Sequence, residues 1–457
     1  MKLASKHGEA QRAIIRADFT GGLNTSQSAE DIGENQLADV LNMEVDHTSA
    51  KLRTATGTID ILRTPDVYAA IHDSINGVIL VVKTNREIYL ADFDGHLGGN
   101  SLGKLTGELY PKYAAWESGV LIASGGQLQY FNGAQLLQIN SPPAEDVFIR
   151  AGRVVVIGGS ILRYSAVGDE TDWREDSNVE SASKFAEAGY KDGQKIICAA
   201  SLSNNILLFK TTGNCYRLVE EYPRWSIVEV ATNVECNGRL SSCAVGDDVF
   251  ILGTETAHLI QNTYYGNVKP EDIAALVKRE VRKLPKNAVV KYVAPLSQVW
   301  CLGREGTVLI FDTLLKSWYK RQFNSAISDV FSAGEEVYIV APDRISKLDA
   351  NTGKDNGEYL NWRFMTQRLV SHHNFLLKRS QVTITPSEPE GYCGHFTCGR
   401  VKLPAPRQIS LNATSLPQDT VILESRNVYR GKYLDVSGHG QGGGVTIHSI
   451  VMDVAEV

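Results

Sequence analysis

Between about residues 65 and 350 the sequence repeats one phrase: a short strand, a turn, a strongly apolar strand, a Gly or Asn turn, then a strand ending in Tyr, Leu or Ile. Residues 299–321 show it plainly. Two apolar runs are hinged at Arg304-Glu305-Gly306, and after a polar turn Trp318 and Tyr319 announce a further strand. Val, Ile, Phe, Tyr and Trp suit a pleated, half-buried surface, and Gly relieves the turn. The phrase recurs over 68–90, 113–131, 147–164, 196–230, 243–260, 289–321 and 328–348. That spacing, roughly 30–50 residues, is the period of propeller blades. One small sheet cannot bury both of its faces, whereas sheets stacked in a ring can. The expected fold is all-β: a β-propeller of six or seven degenerate blades, with a pair of β-sandwiches as the alternative that shares the same strand grammar. The repeats lack a Trp-Asp ladder and a regular paired-Gly signature.

Two ends and two interruptions depart from this rhythm. Residues 1–64 read as an N-terminal arm, with a Gly-hinged extended segment at Asp18–Thr25 and a short helix over Ser28–Asn42. The helix reading rests on acidic residues placed ahead of Leu37, Val40 and Leu41. Strand character returns at Met43–Val45 and Lys51–Thr54. Within the 65–350 body, residues 168–193 form a long acidic excursion. Residues 264–285 read as an inserted amphipathic helix, with Pro270-Glu-Asp at its start, Lys and Arg at its end, and Ile273, Leu276, Val277 and Val281 on one face. The basic end of that helix is the best local candidate for touching a phosphate backbone, set against a solvated, dipole-matched terminus. Residues 351–457 carry longer alternating strands (Gln381–Thr385, Gln408–Leu411, Thr420–Leu423, Gly444–Val454) and read as a small C-terminal β domain.

Charge and cysteine usage exclude several functions. The net charge is −6 with no basic stripe, which argues against tight reading of nucleic acid. No apolar run approaches the ~18 residues needed to cross a bilayer, and the start lacks the apolar core of a signal peptide, so a cytosolic product is expected. The seven cysteines are scattered among apolar neighbours, as reduced buried thiols are. Cys393, His395 and Cys398 are the one cluster resembling metal ligands, without a second pair at zinc-site spacing. His372 and His373 are adjacent, which makes joint ligation on a strand awkward.

Chemistry-bearing motifs are few. Gly438-His-Gly-Gln-Gly-Gly-Gly444 lacks a surrounding βαβ unit and reads as a hairpin loop. Nucleophile-elbow, Walker and His-Glu-x-x-His motifs do not occur. A propeller glycosidase would need two placed carboxylates. Asp92, Asp94, Asp169 and Asp312 sit near strand ends, but Asp favours turns in any case. Ser165–Trp173 shares only residue types with a sialidase Asp-box. The expectation is a protein that is not an enzyme, with no catalytic, cofactor-binding or metal-binding residues.

A resemblance accounts for the ends of the chain. Phe19-Thr-Gly-Gly-Leu-Asn-Thr25, Glu34–Val45 and Lys51-Leu-Arg-Thr54 resemble the opening of tail structural proteins of short-tailed bacteriophages. Leu162–Trp173, Asn205–Leu218 and the closing Arg430–Val436 and Ile447–Val454 are similar to phrases of the same family, the tail nozzle or tail-hub proteins. The resemblance implies a virion tail protein that assembles as a homo-hexamer below the portal and adaptor. Such a ring retains packaged double-stranded DNA, conducts it on ejection, and gives tail fibres or spikes a docking surface. The chain is nearer in length to compact hubs than to the largest nozzles. A mildly acidic wall suits a channel that should not grip DNA. Two other classes stay open: a tail-borne propeller glycan hydrolase, and a cellular propeller scaffold that binds other proteins.

Overall fold

The computed structural model describes residues 11–176, 178–189, 192–202, 205–220, 225–262, 268–386, 393–399, 401–402, 420–441 and 444–456. Among these described residues, seven four-stranded antiparallel sheets follow one another along the chain. Blade 1 comprises Val67–Asp73, Val78–Lys83, Glu87–Ala91 and Leu97–Lys104, and blade 2 Lys112–Trp116, Gly119–Ala123, Gln129–Phe131 and Leu136–Gln138. Blade 3 runs from Asp146–Arg150 to Lys184–Glu187, blade 4 from Ile196–Leu202 to Ser226–Ala231, and blade 5 from Ser242–Val245 to Val268–Asp272. Blade 6 runs from Val290–Val293 to Ser317–Gln322. Blade 7 takes Asp329–Ala333, Glu336–Ala341 and Arg344–Asp349, and its fourth strand, Gly57–Arg63, comes from far upstream. The innermost strand of blade 7 lies beside that of blade 1, which closes the ring.

The apolar second strands explain why the sheets stack. Gly119–Ala123 and Gln298–Leu302 are buried along their whole length, as strands covered on both faces must be. Separate apolar layers fill the gaps between blades. Ile71, Leu80 and Val82 of blade 1 meet Val120, Ile122 and Phe131 of blade 2. Val155, Ile157 and Tyr164 of blade 3 meet Leu208 and Leu218 of blade 4. The sheets therefore hold one another in the way the repeated phrase implies.

Both chain ends contribute to two further sheets. One has six strands in the order Gly22–Leu23, Gln36–Leu41, Asn361–Thr366, Val436–Gln441, Cys393–Cys398, Val401–Lys402. The other centres on two long strands, Leu369–Pro386 and Val445–Glu456. Gln11–Arg16 and Leu52–Thr54 pair with the latter, Val421–Ser425 and Tyr429–Leu434 with the former, and Met43–Val45 pairs with Leu52–Thr54 to make seven strands. Phe364, Phe396, Phe375, Val382, Ile447 and Met452 form their common core, so the two sheets make a sandwich whose core is continuous with the apolar interior of blades 5 to 7.

Several expectations need correction. The first 64 residues are not one arm, because residues 11–54 supply strands to the sandwich and 57–63 complete blade 7. Residues 28–42 do not form a helix: Gln36–Leu41 is a strand, preceded by turns such as the one closed by Gln36 N–H donating to the Gly33 carbonyl. A bulge between Leu37 and Asp39 brings Leu37 and Val40 to the buried side together, so an extra residue in a strand imitates helical spacing. Among the described residues of the expected 264–285 helix, 268–285, one helical turn is present, Lys278–Val281. Val268–Asp272 is instead the outermost strand of blade 5, an edge position where Pro270 leaves no central ladder bond unmade. The Gly-rich stretch is also not simply a loop, since Val436–Gln441 is a strand. A Cβ on Gly438 would lie 2.4 Å from the Phe364 ring and 2.9 Å from that of Phe396, so the glycine admits two core aromatics. The strand expected at Gln408–Leu411 lies outside the described residues. Among the described residues no helix is long and apolar enough to cross a membrane.

Candidate functional site

The innermost strands converge on the propeller axis, and small residues pave their inner surface. Ala114, Ala115, Ala199, Ala200 and Ala244 line a central cavity of about 460 Å³. Charged and aromatic residues gather where these strands begin. Lys112 Nζ lies 2.5 Å from Asp146 Oδ2, linking blades 2 and 3. Lys291 Nζ lies 3.3 Å from Asp329 Oδ1, linking blades 6 and 7. The Tyr110 hydroxyl donates to Asp329 Oδ2 at 2.9 Å. Arg239, just ahead of blade 5, donates to the carbonyls of Glu145 (2.6 Å) and Tyr110. Lys291 also stands over the Tyr113 ring, 5.7 Å from its centroid.

The two aspartates are placed by the same local device. Each opens an innermost strand and accepts the N–H of the following valine, at 2.9 Å for Asp146 and 2.8 Å for Asp329. Burial pushes the Asp146 carboxyl up, opposed by the Lys112 charge and hydrogen bond. Burial also raises Tyr110 well above an ordinary phenol, with Asp329 adding to the effect. For Lys291 burial works against the charge, but Asp329 and Tyr113 outweigh it and the ammonium is held more tightly than usual. Burial lowers Arg239. Chemically this is a compensated site: each of these carboxylates faces a lysine, and a ligand entering here would have to break a pair whose partners are largely out of water.

Sequence reading overlooked these residues, although a signal is present. Asp146-Val-Phe148 and Asp329-Val-Phe331 are the same tripeptide at the same place in two blades, while a third copy, Asp248-Val-Phe250, opens the second strand of blade 5. The carboxylates it did consider go elsewhere. Asp92 and Asp94 lie in the turn before the outer strand of blade 1, with Asp92 accepting from the His96 backbone at 2.9 Å. Asp169 caps a turn at Thr171 in the blade 3 excursion. Asp312 is buried in the blade 6 turn, 2.5 Å from His47 Nε2 and accepting from the N–H groups of Leu314 and Leu315. They occupy peripheral turns of three different blades and do not converge on the axis.

The histidine and cysteine candidates are also dispersed. His395 is exposed beside His439 on the next strand, whereas Cys398 is buried. The side chain of Cys393 lies outside the described residues. His372 and His373 are both exposed on Leu369–Pro386. Among the described residues no group of three or more His, Cys, Asp or Glu could hold a metal ion.

A second concentration of interactions joins propeller to sandwich at blade 6. Gly22, with φ of +60°, packs against Ser317 and Trp318, where a Cβ would come within 2.8 Å of the Ser317 side chain. Trp318 is 1% exposed and its indole N–H donates to the Ile273 carbonyl at 2.8 Å. Asn42 accepts the Gln322 N–H at 2.8 Å and donates to the Asn361 carbonyl at 2.7 Å. Asp39 on the sandwich binds Lys320 at 3.1 Å and Arg363 at 2.6 Å. Arg321 is buried between the Trp300 and Phe323 rings, and burial brings its guanidinium down to about 10.

No protein-family model matches the sequence, and no curated protein does. Among solved structures the chain is similar to BamB from Moraxella catarrhalis, at 10% identity over 70% of this chain and 94% of that one, with a TM-score of 0.40. It is also similar to YCF48 bound to D1 peptide, at 11% identity over 67% and 96%, with a TM-score of 0.41.

Proposed function

We propose that this protein is a structural, protein-binding scaffold rather than an enzyme. The observation that carries this reading is the charge pairing where the innermost strands begin. Carboxylate catalysis needs a group poised to move a proton or attack a substrate, and Asp146 and Asp329 are instead held against Lys112 and Lys291. Surface suited to protein contact lies on the sandwich. Ile15 (60% exposed), Ile422 (57%), Val370 (52%) and Tyr433 (51%) rise from the seven-stranded sheet. Exposed apolar groups on one sheet fit a partner surface better than a small substrate.

The specific scaffold we propose is the tail nozzle or hub of a short-tailed phage, a homo-hexamer that extends the portal and adaptor channel. Supporting it, the phrases that carry the family resemblance at the two chain ends fold together. Gly22–Leu23, Met43–Val45, Leu52–Thr54, Tyr429–Leu434 and Val445–Glu456 all belong to the two sandwich sheets. Duplex DNA, whose major groove alone is about 12 Å wide, would pass outside the propeller in a lumen enclosed by several copies, since a cavity of about 460 Å³ cannot admit it. Fibres or spikes would dock on the outside of that ring. Native mass measurement of the purified full chain mixed with its portal–adaptor complex tests the proposal. A hexamer joined to the complex is expected, and a monomer that never joins would overturn the nozzle reading. Hydrolysis of host surface polysaccharide, lost when Asp146 or Asp329 is replaced by Asn, would overturn the scaffold reading.

A further inference from the structure

Cys198 lies on the innermost strand of blade 4, and Cys236 on the segment leading into blade 5, 38 residues later. Their Sγ atoms are 2.9 Å apart, and the Cys236 Sγ is 3.2 Å from the Gly238 carbonyl. Leu207, Phe209, Val234, Val249 and Ile251 enclose the pair in the apolar layer between the two blades. An isolated buried thiol is a small hydrophobe. Two thiols already in contact need to close by about an ångström to reach the S–S bond length of about 2.05 Å.

The two thiols are not equivalent. Burial pushes Cys198 well up, whereas Cys236 is held down by the hydrogen bond from Cys198, with the Gly238 backbone and the Lys112 charge acting in the same direction. Cys236 is also the more exposed of the two, at 8% against 2%. It is therefore the sulfur placed to meet an oxidant first.

We propose that Cys198 and Cys236 are a modification site, a dithiol that a small peroxide converts to a disulfide stapling blade 4 to the lead-in of blade 5. In the first step the Cys236 thiolate attacks one peroxide oxygen. The O–O bond breaks, the sulfur becomes a sulfenic acid, and water leaves after proton uptake. In the second step the Cys198 sulfur attacks the sulfenic sulfur, the S–O bond breaks, and a second water leaves. The peroxide is reduced to two waters while the two thiols lose two protons and two electrons. A small oxidant suits the site because a bulky disulfide reagent would have to enter a packed layer.

The test uses the full chain. It is treated with dilute hydrogen peroxide, denatured, alkylated, weighed intact and mapped by proteolysis. The alkylated thiols are expected to fall by two from the seven of the sequence, with one linked peptide pair joining Cys198 to Cys236, and reduction should restore all seven. The oxidised protein should melt a few degrees higher, as a cross-link that closes a loop of this length does. C198S and C236A should each abolish both the link and the gain in Tm. An unchanged thiol count, a link mapping to Cys215, or over-oxidised cysteine without a link would each overturn the proposal.

Discussion

The charged residues where the innermost strands begin are paired, and their pairing sets testable limits. Replacing Lys291 by Met leaves Asp329, itself almost fully buried, with only the Tyr110 hydroxyl and a backbone N–H. Removing one partner of a buried pair costs about 3–5 kcal/mol, and partial solvent access to Lys291 reduces this to roughly 2 kcal/mol, readable by denaturant unfolding. The raised ammonium of Lys291 also fixes a sign. Its contribution is fully present below the ordinary lysine pKa of about 10.4 and is lost as pH rises through the higher folded value. The wild type should therefore lose stability above about pH 10.4, and Lys291→Met should flatten that slope. Asp39 has the opposite sign. Burial opposes its charge, yet hydrogen bonds from Arg363 and the charge of Lys320 win and lower its pKa. Its contribution is present above the ordinary aspartate value of about 3.9 and fades as pH falls through the folded one. Acid unfolding of Arg363→Ala, followed by fluorescence, should begin from a less stable state and depend less on pH below about 4.

At the scale of elements, blade 6 is the anchor. Trp318 packs on Phe311 at 5.0 Å and on Phe250 of blade 5 at 6.2 Å. Truncation to Ala should cost about 3–5 kcal/mol, measured by thermal unfolding. Gly22→Ala is expected to loosen the chain end from blade 6 by about 1–2 kcal/mol, since a Cβ there meets both a left-handed backbone and the Ser317 side chain. Faster proteolysis within the first 45 residues would register it, with little change in the propeller. Much of the blade layout is legible in sequence because apolar second strands and turn residues are local signals. The latch is not legible: Arg63 pairs with Arg344 and Gly57 with Asp349, and nothing local in Gly57–Arg63 distinguishes a partner so distant in the chain. The bulge at Leu37–Asp39 misleads for a different reason, since periodicity alone cannot separate an irregular strand from a helical turn. At the candidate site, Asp-Val-Phe recurs in the sequence, but its third copy at Asp248–Phe250 opens a second strand, so the repeat alone does not mark the axis. That Lys112 and Lys291 come from neighbouring blades to meet those aspartates depends on ring geometry.

For the whole molecule, ring closure depends on the early chain first giving strands within residues 11–54 to the sandwich and then Gly57–Arg63 to blade 7, before it enters blade 1. A chain lacking residues 1–64 exposes the Arg344–Asp349 edge and removes Gln11–Thr54 from both sandwich sheets. Open strand edges invite aggregation, so light scattering should rise and the cooperative unfolding transition should be lost. Ring assembly between copies would use a heterologous contact that closes, for which the sheet carrying the exposed Ile15, Ile422 and Tyr433 is the proposed surface. The measurement that bears most directly on the proposed wall-forming role is a low-resolution image of the particle in which this chain is proposed to assemble. The expected image has copies forming a closed hexameric ring around an open lumen, continuous with the portal and adaptor. Copies absent from the particle, or scattered singly on its surface without a lumen, would contradict it.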